Sequence, residues 1–196
     1  SYCTDKPYAA VKGYGKVCRR GNFKSFGNSR NYTAEMDDIF GEEYEAEEGR
    51  DGLYARGEAQ RIMPDSAAHY GGKLYVLTNE GSCSAATLFP ATVMRSHRGL
   101  IIGRETRTAY HYMTALKFAD ICLPDSRVTW RIPLVKCVFD ETESPRIPYG
   151  RGVVPDIYVP LTCEEVAFTD GDAILNRALK AIADGEYLGE NPFAET

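Results

Sequence analysis

No apolar run in this chain approaches the roughly 20 residues that a membrane-spanning helix needs. No leader-like stretch opens it: Ser1-Tyr2-Cys3-Thr4-Asp5 is polar. There is no internal repeat and no heptad array, so solenoids and coiled coils are set aside. Histidine is scarce. His69, His97 and His111 are the only three, and they lack HExxH-like spacing, which argues against a metal site of that kind. None of the six cysteines forms a Cys-x-x-Cys pair, which argues against a zinc ribbon. Net positive charge is also missing. A formal charge of −5 argues against a general nucleic-acid binder.

What is present is ordinary for a globular protein. Of 196 residues, 43% are hydrophobic and 26% charged, enough for one domain with a real core or one domain with a long excursion. Charge is unevenly spread. Lys6, Lys12, Lys16, Arg19, Arg20, Lys24 and Arg30 make the first segment basic. Glu35, Asp37, Asp38, Glu42, Glu43, Glu45, Glu47, Glu48 and Asp51 make the next acidic. This reads as a solvated insertion whose halves attract, with a functional acidic surface as the alternative. Cys122 and Cys137 lie in apolar, strand-like runs and read as small buried hydrophobes. Cys3 and Cys18 could pair in an exported protein, although spacing alone does not give the geometry.

Residues 1–70 read as irregular and charged, with a short helix expected around Ala34 to Phe40 and disorder around Glu42 to Asp51. Order is expected from residue 71 to 196. Lys73 to Asn79 is a short apolar run behind Gly71-Gly72 and predicts a buried strand. Glu80-Gly81-Ser82-Cys83 predicts a sharp turn. Ser84 to about His97 has helical spacing in Ala85, Leu88, Phe89, Thr92, Val93 and Ser96, with Pro90 expected to kink it. Gly99 to Gly103 predicts a second buried strand. Strand, helix and strand with short links predict a βαβ unit with parallel strands.

Ala109 to Leu123 and Arg127 to Phe139 flank Pro124-Asp125-Ser126 and predict an antiparallel hairpin. Val128, Trp130, Ile132, Leu134 and Val138 form its expected apolar face, and Pro133 suits an edge or a bulge. Ile157 to Val159 predicts a short strand. Asp172 to about Ala183 predicts a helix capped by Asp170 or Asp172. Its expected apolar face is Ile174, Leu175, Ala178, Leu179 and Ile182.

The chemistry-bearing stretch is Gly81-Ser82-Cys83-Ser84-Ala85-Ala86-Thr87. A serine on a tight turn between a buried strand and a helix is exposed at the sheet edge. The first N–H groups of the helix, here that of Ala85, can then stabilise an oxyanion. The same pattern also fits a plain helix cap by Ser82 or Ser84. It is not the GxSxG elbow, since Ala86 replaces the second glycine.

From Lys73 to about Ile182 the chain resembles the catalytic domain of C-terminal processing (tail-specific) serine peptidases, relatives of the tricorn protease core. The resemblance rests on Asn79-Glu80-Gly81, Ser82-Cys83-Ser84-Ala85-Ala86, Gly103-Arg104-Glu105-Thr106 and Gly152-Val153-Val154-Pro155-Asp156, in that order. It implies an α/β fold of the ClpP/crotonase-like kind, a βαβ core with an added antiparallel hairpin. It implies Ser84 as nucleophile, peptide or protein substrates, no cofactor, and a place outside the cytoplasm, in the periplasm or at the cell surface. Ala109 stands where most of the family carries a lysine base. His111, two residues on, is the expected replacement, with Lys117 and Lys136 as other candidates. Glu105 could orient the base or be structural. The family's upstream Leu-Arg-x-Asn-x-Gly-Gly strand is not found, so the chain is expected to be the C-terminal part of a larger protein or a divergent member. The competing readings are a non-catalytic peptide-binding domain and a structural interaction module. His97, at a helix C-terminus, and Trp130, in a strand, are expected to be structural, Trp130 in the core.

Overall fold

The computed structural model describes residues 13–17, 45–46, 53–56, 63, 70–123, 125–142, 144–163, 167 and 171–187. The chain divides into two compact units. One takes in Arg61–His111 and Thr142–Thr196, the other Val11–Gln60 and Tyr112–Glu141.

The first unit holds strands β4 (Tyr75–Thr78), β5 (Leu100–Gly103) and β8 (Ile157–Tyr158), with helices α1 (Ala85–Arg95) and α2 (Ala173–Ala183). β5 is central and runs parallel to both neighbours, in the order β4-β5-β8. β4, α1 and β5 are the βαβ unit that the apolar runs predict. All four residues of β5 are buried, as befits a parallel strand covered on both faces. Alternate residues serve different layers. Val76 and Ile101 pack with Ala91, Val93 and Met94 of α1. Leu100 and Ile102 pack with Ile174, Ala178 and Ala181 of α2.

α1 starts at its cap residue Ser84 and runs through Pro90, which is buried and supplies no N–H to the preceding turn. It closes on His97, whose φ is 50°. The N–H of His97 donates to Met94 O and that of Arg98 to Val93 O, a Schellman ending with histidine where glycine is usual. His97 is structural there, as expected. Burial lowers its pKa more than neighbouring Asp156 raises it, so the site does not favour the cation that a helix C-terminus alone would.

α2 is capped by Asp172, whose side chain accepts the Leu175 N–H at 2.9 Å. Its buried stripe differs from the expected one. Ile174, Ala178 and Ala181 face the core, whereas Leu175, Leu179 and Ile182 are exposed. Both sets have i, i+4, i+7 spacing, so periodicity could not choose between them.

Asp156 joins the strands of this unit. Its carboxylate accepts the N–H of Ile101, in mid-β5, at 2.7 Å and a guanidinium N–H of Arg146 at 2.5 Å. Ile101 is fully buried. Asp156→Ala would strand that amide, so about 1–3 kcal/mol should be lost in urea unfolding. Asp156→Asn, which keeps an acceptor, should lose less.

The second unit is a five-stranded antiparallel sheet in the order β2-β3-β1-β7-β6. Its strands are β1 (Gly13–Val17), β2 (Glu45–Ala46), β3 (Leu53–Arg56), β6 (Tyr112–Cys122) and β7 (Thr129–Val138). The hairpin falls where the alternation predicts it. β1 pairs with β7, so part of the stretch read as irregular supplies strands to the hairpin's sheet. The helix expected at residues 34–40 lies outside the described residues. So does the disorder expected around residues 42–51, apart from the two residues of β2. Cys3 and Cys18 lie outside them too.

Pro133 sits at a register shift: Ala115 faces Val135, but Phe118 faces Pro133. That is the bulge its missing N–H favours. The expected apolar face is reversed at its outer end. Val128, Trp130 and Ile132 are exposed, and Trp130 is not core, while Val135, Cys137 and Phe139 are buried. Cys137 is a buried small hydrophobe whose thiol pKa is raised by burial, whereas Cys122 is exposed.

Candidate active site

β4 ends at Thr78, and a compact turn follows. The Asn79 side chain accepts the Gly81 N–H at 2.9 Å, and the Ser82 hydroxyl oxygen accepts the Asn79 N–H at 3.1 Å. The Ser82 N–H donates to Asn79 O at 2.9 Å. Ser82 is therefore spent on shaping the turn.

Ser84 has φ 56° and ψ −122°, a conformation that L residues rarely adopt. Such strain costs about 1–3 kcal/mol and persists only where the surroundings over-determine it. The plain-cap reading predicts a side-chain bond to a helix N–H; the Ser84 side chain makes none. Ser84 and Ala85 are both exposed. Ser84 is thus a strained, exposed serine between a strand and a helix.

The helix N-terminus is nearly consumed. The Ala86 N–H donates to Cys83 O at 3.1 Å, and those of Thr87 and Leu88 donate to Ser84 O at 2.9 and 3.1 Å. The Ser84 N–H donates to the Thr108 hydroxyl oxygen at 2.9 Å. The Ala85 N–H has no partner among the described residues. It is the donor left for an oxyanion at this turn.

The stretch after β5 is knitted onto the turn at residues 79–84. The Arg107 N–H donates to Ser82 O at 2.9 Å, and the Thr87 hydroxyl to the same carbonyl at 3.0 Å. Glu105 answers the question left by the sequence: its carboxylate accepts from the Arg151 guanidinium and, at 2.7 Å, from the Gly152 N–H. It makes no hydrogen bond to His111. Ala109 forms a backbone bridge with Gly152. The motifs at 103–106 and 152–156 are thus one structural join.

The Arg151 hydrogen bond, helped by the Gly152 N–H, holds the Glu105 carboxyl below its ordinary range against the opposing effect of burial. A depressed carboxyl pKa means the unfolded chain takes up the proton first on acidification. The stability it supplies is full above about pH 4.5, the unfolded value, and is lost as pH falls through the lower folded value. Glu105→Gln should therefore flatten the acid limb of stability against pH between pH 5 and 3. An unchanged acid limb would count against this linkage.

His111 is fully buried. Its Nε2 lies 3.0 Å from Thr142 O, which can only accept, so Nε2 carries a proton, and in the neutral ring Nδ1 then has the lone pair. Nδ1 is buried with no hydrogen-bond partner among the described residues. The rings of Tyr110 and Tyr149 lie 5.1 and 5.2 Å away, centroid to centroid. No hydrogen bond joins His111 to Ser84. Lys136 has its ammonium 4.4 Å over the ring of Tyr112, and the Lys117 side chain lies outside the described residues. No group of three or more His, Cys, Asp or Glu side chains suited to a metal occurs among the described residues. Sequence reading passed over Thr108, because nothing local marks a hydroxyl that acts on a residue 24 positions away.

A strained serine thus stands on a strand-to-helix turn beside a parallel sheet packed against helices, an α/β arrangement. Residues 14–159 match peptidase family S41, and the chain belongs to that family of serine peptidases. Among the solved structures that resemble it are two of one protein. One is mature CPAF complexed with lactacystin, with TM-score 0.57 and 17% identity, covering 94% of this chain and 40% of that one. The other is a serine-to-alanine mutant of CPAF, with TM-score 0.51 and 15% identity, covering 92% and 37%. At such identities the likeness concerns the fold. The chain spans about two fifths of the length of these structures. No curated protein matches the chain.

Proposed function

We propose that this chain carries the nucleophile of a serine endopeptidase of the C-terminal processing type, which hydrolyses peptide bonds through an acyl-enzyme on Ser84. One observation carries the reading: Ser84 is held at φ 56° and ψ −122° without capping its helix. Ser84 Oγ attacks the scissile carbonyl, and its proton passes to a base. The Ala85 N–H donates to the oxyanion; the tetrahedral species collapses as the amine leaves protonated; water then releases the acyl group.

His111 is the proposed base. Its Nε2–H bond to Thr142 leaves Nδ1 of the neutral ring with an unshared pair and no partner among the described residues, the form a general base requires. Catalytic contacts are often loose before substrate binds, so the lack of a bond to Ser84 is compatible with this role. The substrate is a peptide or protein, and the chemistry calls for no cofactor. The net charge of −5 argues against a general nucleic-acid binder. No described helix is long and apolar enough to cross a membrane. A ClpP/crotonase-like core and a place outside the cytoplasm complete the proposal, both on family likeness. The second reading, a peptide-binding domain that has lost catalysis, is favoured by Ala109 standing at the family's lysine position.

The test is labelling by a fluorophosphonate probe, with the adduct mapped by mass spectrometry. An adduct on Ser84 that is slowed about 10²-fold or more in His111→Gln supports the Ser-His reading. Glutamine keeps an N–H donor for Thr142 but offers no comparable base. Peptide binding without any adduct would favour the binding domain.

A further inference from the structure

We propose that Thr108 is a positioning residue for Ser84: its hydroxyl accepts the Ser84 N–H and so holds the nucleophile in its strained backbone conformation. This rests on Ser84 being the nucleophile.

The hydrogen bonds around the turn divide the work. Those of Asn79, Gly81 and Ser82 close the turn before Ser84 is reached. Those from Thr87 and Leu88 hold the Ser84 carbonyl and thereby anchor the peptide on its C-terminal side. The peptide on the N-terminal side, whose orientation fixes φ, is held at both of its polar atoms: Cys83 O accepts the Ala86 N–H at 3.1 Å, and the Ser84 N–H donates to Thr108 Oγ1 at 2.9 Å. The first bond closes within the same turn, and the second ties the peptide to a segment 24 residues away. Without Thr108 the Cys83 carbonyl alone would restrain this peptide, and the N–H could turn toward water as φ relaxes toward the ordinary negative range. Because Cβ branches from the same Cα, the Ser84 hydroxyl would then aim elsewhere.

Thr108 is itself held. The Thr106 hydroxyl donates to Thr108 O at 3.0 Å, and its oxygen accepts the Val153 N–H at 2.9 Å. The Arg107 N–H, between the two threonines, donates to Ser82 O at 2.9 Å. The clamp therefore runs from the 152–153 strand connection, through Thr106 and Thr108, to the nucleophile. It also decides which amide serves the oxyanion. With the Ser84 N–H committed to Thr108, the N–H of Ala85 is the one that remains. The acceptor must be an oxygen at this point; valine has the shape of threonine without it, and serine keeps it.

The experiment compares Thr108→Val and Thr108→Ser with the parent in two readouts. The first is the second-order rate of fluorophosphonate labelling at Ser84, with kcat and KM where a peptide is turned over. Thr108→Val should slow labelling about 10- to 100-fold and lower kcat with little change in KM, while Thr108→Ser restores most of the rate. The second is amide hydrogen exchange at Ser84 by NMR, which needs no activity. It should accelerate about tenfold or more in Thr108→Val and stay near the parental rate in Thr108→Ser. A residue that only supported the fold would speed exchange along β5 and α1 as well, so exchange confined to Ser84 and its neighbours supports positioning. If the parent labels at Ser84 and Thr108→Val labels equally fast, the role of Thr108 is overturned and the peptidase reading stands. If the parent fails to label at Ser84, the peptidase reading fails, and the role of Thr108 as a positioning residue for catalysis falls with it. Unchanged exchange at Ser84 in Thr108→Val overturns the clamp in either case.

Discussion

Ser84→Ala is expected to abolish fluorophosphonate labelling and to lower peptide hydrolysis by about 10³-fold or more, with the fold intact. The magnitude follows from the chemistry. Alanine has no atom to form the acyl bond, so only transition-state binding by the remaining groups survives. Stability should hold or rise slightly, because the Ser84 side chain caps no helix N–H whose loss would be felt. Two neighbours supply the contrast. Ser82→Ala removes the acceptor of the Asn79 N–H and should loosen the turn, reducing the labelling rate without abolishing it. Cys83→Ala, at an exposed thiol, should label much as the parent does. If Ser84→Ala still took up the probe and Ser82→Ala did not, the nucleophile would have been assigned to the wrong serine.

Gly103→Ala should have the largest effect on folding. Gly103 ends β5 with φ 133°, where an L side chain is strained whatever space is available. Space is also lacking: a Cβ there would lie 2.0 Å from the carbonyl oxygen of Thr78. That carbonyl accepts the Arg104 N–H at 2.8 Å, and the Gly103 carbonyl accepts the Val159 N–H at 2.8 Å. Backbone must move at the junction of all three parallel strands. Overpacking and conformational strain add, so a loss of about 4 kcal/mol or more is expected, read as a collapse of the urea midpoint or as insoluble expression. Gly185→Ala is the control. Its φ is 72°, but nothing lies within 4 Å of the added Cβ, so only the conformational cost of about 1 kcal/mol should show. Equal losses at the two glycines would mean that packing at Gly103 contributes little.

Much of the fold was legible because its signals are local. The two apolar runs around Val76 and Ile101, the small-residue opening at Ser84 and the cap at Asp172 each depend on a few adjacent residues. The turn between β6 and β7 and the bulge at Pro133 were legible for the same reason. Where two local patterns competed, the sequence could not arbitrate. Ile174, Ala178 and Ala181 have the spacing of Leu175, Leu179 and Ile182, and only the surface beneath the helix decides which stripe is buried. Trp130 looked like core because tryptophan buries much apolar area, yet the packed residues of β7 are Val135 and Cys137.

The candidate site divides in the same way. By itself the sequence determined the order of strand, turn and helix, the serine at that turn, the likeness to S41 peptidases and the absence of the usual lysine at Ala109. Each of these is written in residue types and short spacings. Tertiary structure decided that Ser84 is strained, that Ser82 belongs to the turn, and that Glu105 serves Gly152, 47 residues away, and not His111. It also decided that β1 joins the hairpin's sheet and that Thr108 meets the Ser84 amide. The physical reason is common to all of them. A hydrogen bond or a strained φ depends on where distant segments cross, and that is set by the packing of the whole unit, whereas periodicity and capping act within a turn or two of chain.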